Sequence, residues 1–274
     1  MKKLLVLSSY LLLLTVLRAQ LYVGIHGGAT LPQGLYAESR MSDNEWMLAE
    51  GHQLKGGAGK GWDAGIDISY AMPFHPSLEV TLSADFMQGP PNRDIKEYYE
   101  INYSRRYSQC SLYDMRLPNY RNIPILLGVR YNYPVTIGID LYGEALVGIN
   151  RRIITDWVLT CTNEPWTPQE ELDYPEYNNI DIRSYIPATT FALRLGAGFI
   201  LKKKYTIGAS FQMLGKAPLS WDRTVITRYD VYGHISEYTD QTHTDYTNLN
   251  PTFVLVQVGY RLNPFEGARH VQDL

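Results

Sequence analysis

Nine charged residues recur at alternate positions of otherwise apolar–polar segments: Asp63, Asp67, Glu79, Asp85, Arg130, Asp140, Glu144, Arg194 and Arg261. Six are carboxylates and three are guanidinium groups. Side chains two residues apart on an extended strand share a face. Acids and bases gathered on one such face can pair as salt bridges or line a conduit for ions. An unpaired buried charge is costly, so the three arginines are expected to meet the carboxylates. Structural filling is the first expectation and a gated conduit the second.

Other chemistry-bearing stretches are weaker. Gly56-Gly57-Ala58-Gly59-Lys60-Gly61 lacks the spacing of a phosphate loop, and Gly rather than Ser or Thr follows the Lys. His234-Ile235-Ser236-Glu237 offers nucleophile and base types, yet no oxyanion feature accompanies it. Glu164, Glu170, Glu171, Asp173 and Glu176 form an acidic run that matches no EF-hand. With 2 Cys in the chain, a four-Cys zinc site is excluded. No catalytic residue, metal or cofactor is expected, and the chain reads as a non-enzyme.

The elements that carry the charges are strands. Leu78, Val80, Leu82, Ala84 and Phe86 alternate with Glu79, Thr81, Ser83 and Asp85. Trp62 to Met72 and Tyr205 to Met213 repeat the rhythm. Looser versions run from Leu21 to Ala29, Ile123 to Tyr131, Ile137 to Ile149, Phe191 to Leu201 and Val254 to Leu262. The result is eight strands, an even number suited to a closed antiparallel barrel. The segments between them fall near 32–57, 73–77, 88–118, 151–184, 202–204 and 215–250, with a tight turn near Asn132–Pro134. Long and short connections alternate, so all short ones lie at one end. This is the layout of a transmembrane barrel with short periplasmic turns and four long extracellular loops.

Alternation alone does not say which face points outward, since a soluble barrel alternates too. Here the polar face is poor in Lys and rich in Gly, Ser, Thr, Asp and Asn, unlike a water-facing surface. Aromatic residues gather near strand ends. Tyr70, Phe74, Tyr131, Tyr133, Phe199, Tyr205 and Tyr260 mark the short-turn end, and Phe86, Phe191 and Phe211 the other. Such rings prefer the membrane–water boundary. The apolar face is therefore expected to meet lipid, with the nine charges inside.

Met1-Lys2-Lys3, the apolar run Leu4 to Leu17 and Ala19-Gln20 form a signal-peptide layout. The expected division is a signal peptide at 1–19, a barrel at 20–263 and a short periplasmic tail at 264–274. Lys and Arg number 25 against 28 Asp and Glu, giving a net charge of -3 and no basic face for nucleic acid. Cys110 and Cys161 fall in the second and third long loops. Export permits a disulfide there, and exposed free thiols are a liability, so one bridge is the favoured reading over two thiols. The loops are also rich in Tyr, including Tyr98, Tyr99, Tyr103 and Tyr107. Tyr suits binding surfaces and loop packing alike, and loops this long suggest strands continuing above the membrane.

Tyr120-Arg121-Asn122-Ile123-Pro124-Ile125-Leu126-Leu127-Gly128-Val129-Arg130-Tyr131 resembles the hallmark of the Bacteroidota-type outer-membrane β-barrel domain family, which includes PorT-like proteins and other OmpA-like eight-stranded barrels. Gly138 to Asn150 resembles that family's next strand. The resemblance implies an outer-membrane location in a Gram-negative cell. It also implies a structural, surface-interaction or secretion-accessory role. A porin-like conduit for small solutes and a lipid-modifying hydrolase are the alternatives. The expected partners are outer-membrane lipid and a protein in the envelope or at the extracellular loops, not nucleic acid. Pro124 removes a ladder hydrogen bond, and a bulge near the outer rim is expected to accommodate it.

Overall fold

A computed structural model describes residues 21–37, 58–91, 112–163, 177–217, 219–229, 234–239, 243–245 and 250–263. The leader at 1–19, the tail at 264–274 and Cys110 lie outside these residues.

Eight strands close into an antiparallel barrel: β1 (Leu21–Gln33), β2 (Gly61–Met72), β3 (His75–Gly89), β5 (Tyr120–Thr136), β6 (Ile139–Ile154), β9 (Ala188–Leu201), β10 (Tyr205–Met213) and β14 (Thr252–Leu262). Their order around the barrel is β1-β14-β10-β9-β6-β5-β3-β2. Closure pairs β1 with β14, Val23 opposite Leu262, and leaves no free edge. At 9 residues, β10 has the length of a tilted membrane-crossing strand, whereas β5 has 17 and β6 has 16. The longer strands therefore rise beyond one side of the membrane.

The apolar faces point outward. Leu82 is 42% exposed and Ile207 47%, while Thr81 and Ser83 beside Leu82 are fully buried. Ile66, Leu127, Val147, Leu195 and Val256 are exposed in the same way, forming a continuous apolar belt. Water would oppose so much contiguous apolar surface. Hydrocarbon does not, and a closed barrel satisfies every backbone group within it. The fold is that of a transmembrane barrel.

All ten aromatic residues assigned to the strand ends lie on this outer side. Phe74, Tyr131, Tyr133, Phe199 and Tyr205 are exposed at the short-turn end, with Tyr70 and Tyr260 half-buried beside them. Tyr205 and Tyr260 pack with ring centroids 5.3 Å apart. Phe86, Phe191 and Phe211 stand towards the opposite end, where Phe86 meets Trp62 at 5.5 Å.

Two details correct the sequence reading. The tight turn is at Ile137–Gly138, not Asn132–Pro134. Asn132 to Pro134 stay paired with residues 140–142, and Gly138 supplies the left-handed φ of +81° that closes the turn. Pro124 also sits in no bulge. The β3–β5 register is the same from Ala84–Ile125 to Met87–Asn122, and the ladder omits the two intervening pairs where the proline has no N–H.

The long connections carry six further strands: β4 (Leu112–Arg116), β7 (Trp157–Asn163), β8 (Tyr177–Tyr185), β11 (Leu219–Tyr229), β12 (His234–Thr239) and β13 (His243–Asp245). They form a second sheet in the order β12-β11-β8-β7-β4, with β13 also on β11. Three of the four loops thus contribute strands. Among its described residues the first loop gives a 3-10 turn, Gly34–Tyr36, whose Tyr36 is buried against Tyr120 and Phe253 at the barrel mouth, with centroids 5.7 and 5.3 Å away. Burial there pushes the Tyr36 hydroxyl pKa upward, and the charge on Arg152 partly opposes this. Trp157, Leu159, Tyr185 and Trp221 of the outer sheet join the same apolar cluster. One core therefore runs from the barrel mouth into the sheet.

A charged network in the barrel lumen

Strand parity places the charged residues. On β3 the inward positions are Glu79, Thr81, Ser83, Asp85 and Met87, which are all buried. On β2 they are Asp63, Gly65, Asp67 and Ser69, and on β1 Tyr22, Gly24, His26 and Gly28. The tilt of a barrel brings strands of different height to a common level, so side chains far apart in sequence meet across the lumen.

Three clusters result. Nearest the short-turn end, Arg261 Nη2 donates to Glu79 Oε1 at 2.8 Å, and Asn132 Nδ2 donates to the same oxygen at 2.8 Å. The Arg261 guanidinium also lies 4.1 Å above the Tyr22 ring. In the middle, Arg130 Nη2 donates to Glu144 Oε2 at 2.7 Å and to Asp67 Oδ2 at 3.4 Å. Deeper, Arg194 donates to Asp85, to Ser83 Oγ at 3.2 Å and to Gln212 Oε1 at 2.9 Å. His26 ties the last two clusters together. Its Nε2 lies 2.5 Å from Asp85 Oδ1 and its Nδ1 lies 3.4 Å from Asp67 Oδ2. Asp63 accepts from Gln257 Nε2 at 2.5 Å.

Eight of the nine charged residues thus lie in the network. Asp140 does not. It is half-buried beside the Ile137–Gly138 turn and forms no ion pair with another described residue. Six partners were not assigned from the sequence: Tyr22, His26, Ser83, Asn132, Gln212 and Gln257, although Ser83 already stood on the polar face of β3. His26 was legible in principle, since it occupies the inward phase of β1 between Gly24 and Gly28.

The small residues on the inward face have a steric purpose. A Cβ at Gly208 would collide with the Tyr142 hydroxyl, and one at Gly196 would stand 2.9 Å from Glu144 Oε1. Glycine on β9 and β10 therefore makes room for long side chains from β6. Above the charges, Met87, Leu126, Leu146, Ala192 and Leu255 are buried inside the barrel. These residues form an apolar plug between the ionic layer and the mouth. Near the short-turn end a cavity of about 10 Å³ remains, bordered by Tyr22, Ser69, Asp67, Arg130 and Arg261. It has roughly the room of one water.

The remaining candidates are described only in part. His234, Ser236 and Glu237 fall on β12, and Cys161 falls on β7 opposite Tyr113 of β4. Their side chains, the acidic run 164–176 and the tyrosines between 98 and 107 lie outside what is described. In the outer sheet Arg223 holds Asp181 through two nitrogens, the shorter contact being 2.8 Å, and the Arg183 guanidinium covers Trp157 at 4.6 Å. These interactions stiffen the sheet.

No family model and no curated protein matches the chain. Among solved structures it is similar to the outer membrane protein OprG from Pseudomonas aeruginosa, at 12% identity and a TM-score of 0.36, covering 89% of this chain and 96% of that one. Neisserial surface protein A gives 11% identity and a TM-score of 0.41, with 89% and 96% covered. Ail, the attachment invasion locus protein of Yersinia pestis, gives 11% and 0.32, with 89% and 97% covered. Likenesses this distant carry no inference about activity, and the fold assignment stands on the closed barrel and its apolar belt.

Proposed function

We propose that this chain is a non-enzymatic outer-membrane protein that acts through its external face, in a structural, surface-interaction or secretion-accessory role. The observation that carries this reading is the combination of a filled lumen with a second sheet beyond the membrane. Three arginine–carboxylate clusters and the apolar plug occupy the barrel interior, which argues against a path for solutes. The six outer strands present surface that the barrel does not need for its own closure. The signal-peptide layout of 1–19 supports export, and the likeness of residues 120–131 to Bacteroidota-type barrels supports the outer membrane. Its lipid partner is the bilayer around the belt. A protein partner would engage the outer sheet, whose strands β12 and β4 form its two ends.

Planar-bilayer recording of the full chain tests this. The expected trace shows no steady large conductance. A stable open level of porin size would transfer the function to a small-solute conduit. Co-purification from intact envelopes, with labelling of residues 219–229 on whole cells, then identifies what the outer sheet holds.

A further inference from the structure

We propose that the lumen holds a divalent transition-metal ion between β1, β2 and β3, ligated by His26, Asp63 and Asp85. One ligand atom from each of these residues lies within 4.8 Å of the others. The donor set of one imidazole and two carboxylates suits Zn²⁺ or Mn²⁺ better than Ca²⁺, which takes oxygen ligands almost throughout.

Three further observations point to a ligand there. The first is steric. His26, Gly65 and Asp85 lie in one row across the three strands, since His26 pairs with Gly65 and Gly65 with Asp85. A Cβ on Gly65 would stand 2.5 Å from both His26 Nε2 and Asp85 Oδ1. The glycine thus gives His26 and Asp85 the room to converge, their Nε2 and Oδ1 standing 2.5 Å apart. Asp63 and Asp67 flank it, two residues to either side on the same face of β2. The second is an unsatisfied acceptor. Asp63 is 3% exposed, yet its Oδ1 has no hydrogen-bond partner, its other oxygen being held by Gln257. A buried carboxylate oxygen without a partner calls for one. The third is charge. Around this point the four carboxylates of Asp63, Asp67, Asp85 and Glu144 face the two guanidinium groups of Arg130 and Arg194 and the imidazole of His26, so acidic groups outnumber basic ones and a cation is favoured.

Asp67 completes the arrangement. A metal-bound histidine ordinarily donates its other ring N–H to a carboxylate, and His26 Nδ1 faces Asp67 Oδ2 at 3.4 Å. On binding, the ion displaces any proton shared by His26 Nε2 and Asp85 Oδ1, and that proton leaves to solvent. Asp85 keeps Arg194 on its second oxygen, so it ligates through Oδ1 alone.

The test uses the full chain refolded in detergent micelles, stripped with chelator and titrated with Zn²⁺, then with Ca²⁺. The expected result is one Zn²⁺ per chain, with no saturable Ca²⁺ binding. His26→Ala is expected to lose the site. Asp67→Asn is expected to weaken it by roughly 10–100-fold. Asp140→Asn, at the unpaired carboxylate near the turn, is expected to bind as the parent does. Zn²⁺ binding unchanged in His26→Ala, or none in the parent chain, would overturn the proposal. If His26→Ala fails to fold, Cu²⁺-loaded parent protein decides by pulsed electron paramagnetic resonance. Coupling to an imidazole nitrogen that is lost on competition with Zn²⁺ is expected, and its absence would overturn the site.

Discussion

Replacing Arg194 with alanine is expected to destabilise the folded barrel by about 3–5 kcal/mol, the cost of breaking a buried ion pair from one side. Arg194 is 2% exposed and holds Asp85, Ser83 and Gln212 at once. Its loss strands a carboxylate and an amide oxygen in a lumen with no bulk water to replace the guanidinium. The effect should shrink when both partners are changed. Arg194→Met combined with Asp85→Leu fills the same space without charge, and the double variant is expected to recover much of the loss of the single one. Guanidinium unfolding in micelles, followed by tryptophan fluorescence and by the heat-dependent gel mobility of closed barrels, measures both. A loss below about 1 kcal/mol for Arg194→Ala would mean that water screens the pair as it does at a surface, and the lumen would then be open.

The second large effect lies on the opposite face. Leu82→Arg is expected to cost about 2–4 kcal/mol, as a cation does at the midplane of a membrane barrel. Leu82 is 42% exposed and sits midway along β3, with Ile68 and Leu127 opposite it on the neighbouring strands. Ile137→Arg is the paired control. Ile137 is fully exposed at the short turn, beyond the aromatic ring of residues, where the same change is expected to cost about 0–1 kcal/mol. The same unfolding assay in lipid vesicles gives both values. Equal costs at the two positions would contradict a depth-dependent lipid contact.

The sequence revealed the barrel because its strands alternate with period 2, which sets a face without any tertiary information. Leu78 to Phe86 is the clearest case: every second residue is apolar, and these residues lie outward. The same logic places the charged residues on the inner side, and it carries His26 with them. The apolar plug was hidden for a physical reason. In Ile123-Pro124-Ile125-Leu126-Leu127 both faces are apolar, so alternation cannot show that Leu126 points in while Ile125 and Leu127 point out. Leu146 and Leu255 lie in similar runs. Strands above the membrane were expected from the loop lengths, but the order of the outer sheet was hidden because two of its pairings are non-local: β4 meets β7 and β11 meets β8 across long separations. Neighbouring residues say nothing about such partners. The Ile137–Gly138 turn was missed because Pro134 is the stronger turn signal, although the glycine two positions after Thr136 supplies the required φ.

The central claim is that the apolar faces of the strands contact lipid while the polar faces close a packed lumen. Nitroxide labels introduced by Leu82→Cys and by Thr81→Cys, in a Cys110→Ser, Cys161→Ser background and reconstituted in bilayers, test it most directly. The label at 82 is expected to relax with lipid-soluble oxygen and to ignore a water-soluble nickel chelate, while the label at 81 is shielded from both. A label at 82 that responds to the nickel chelate would contradict it.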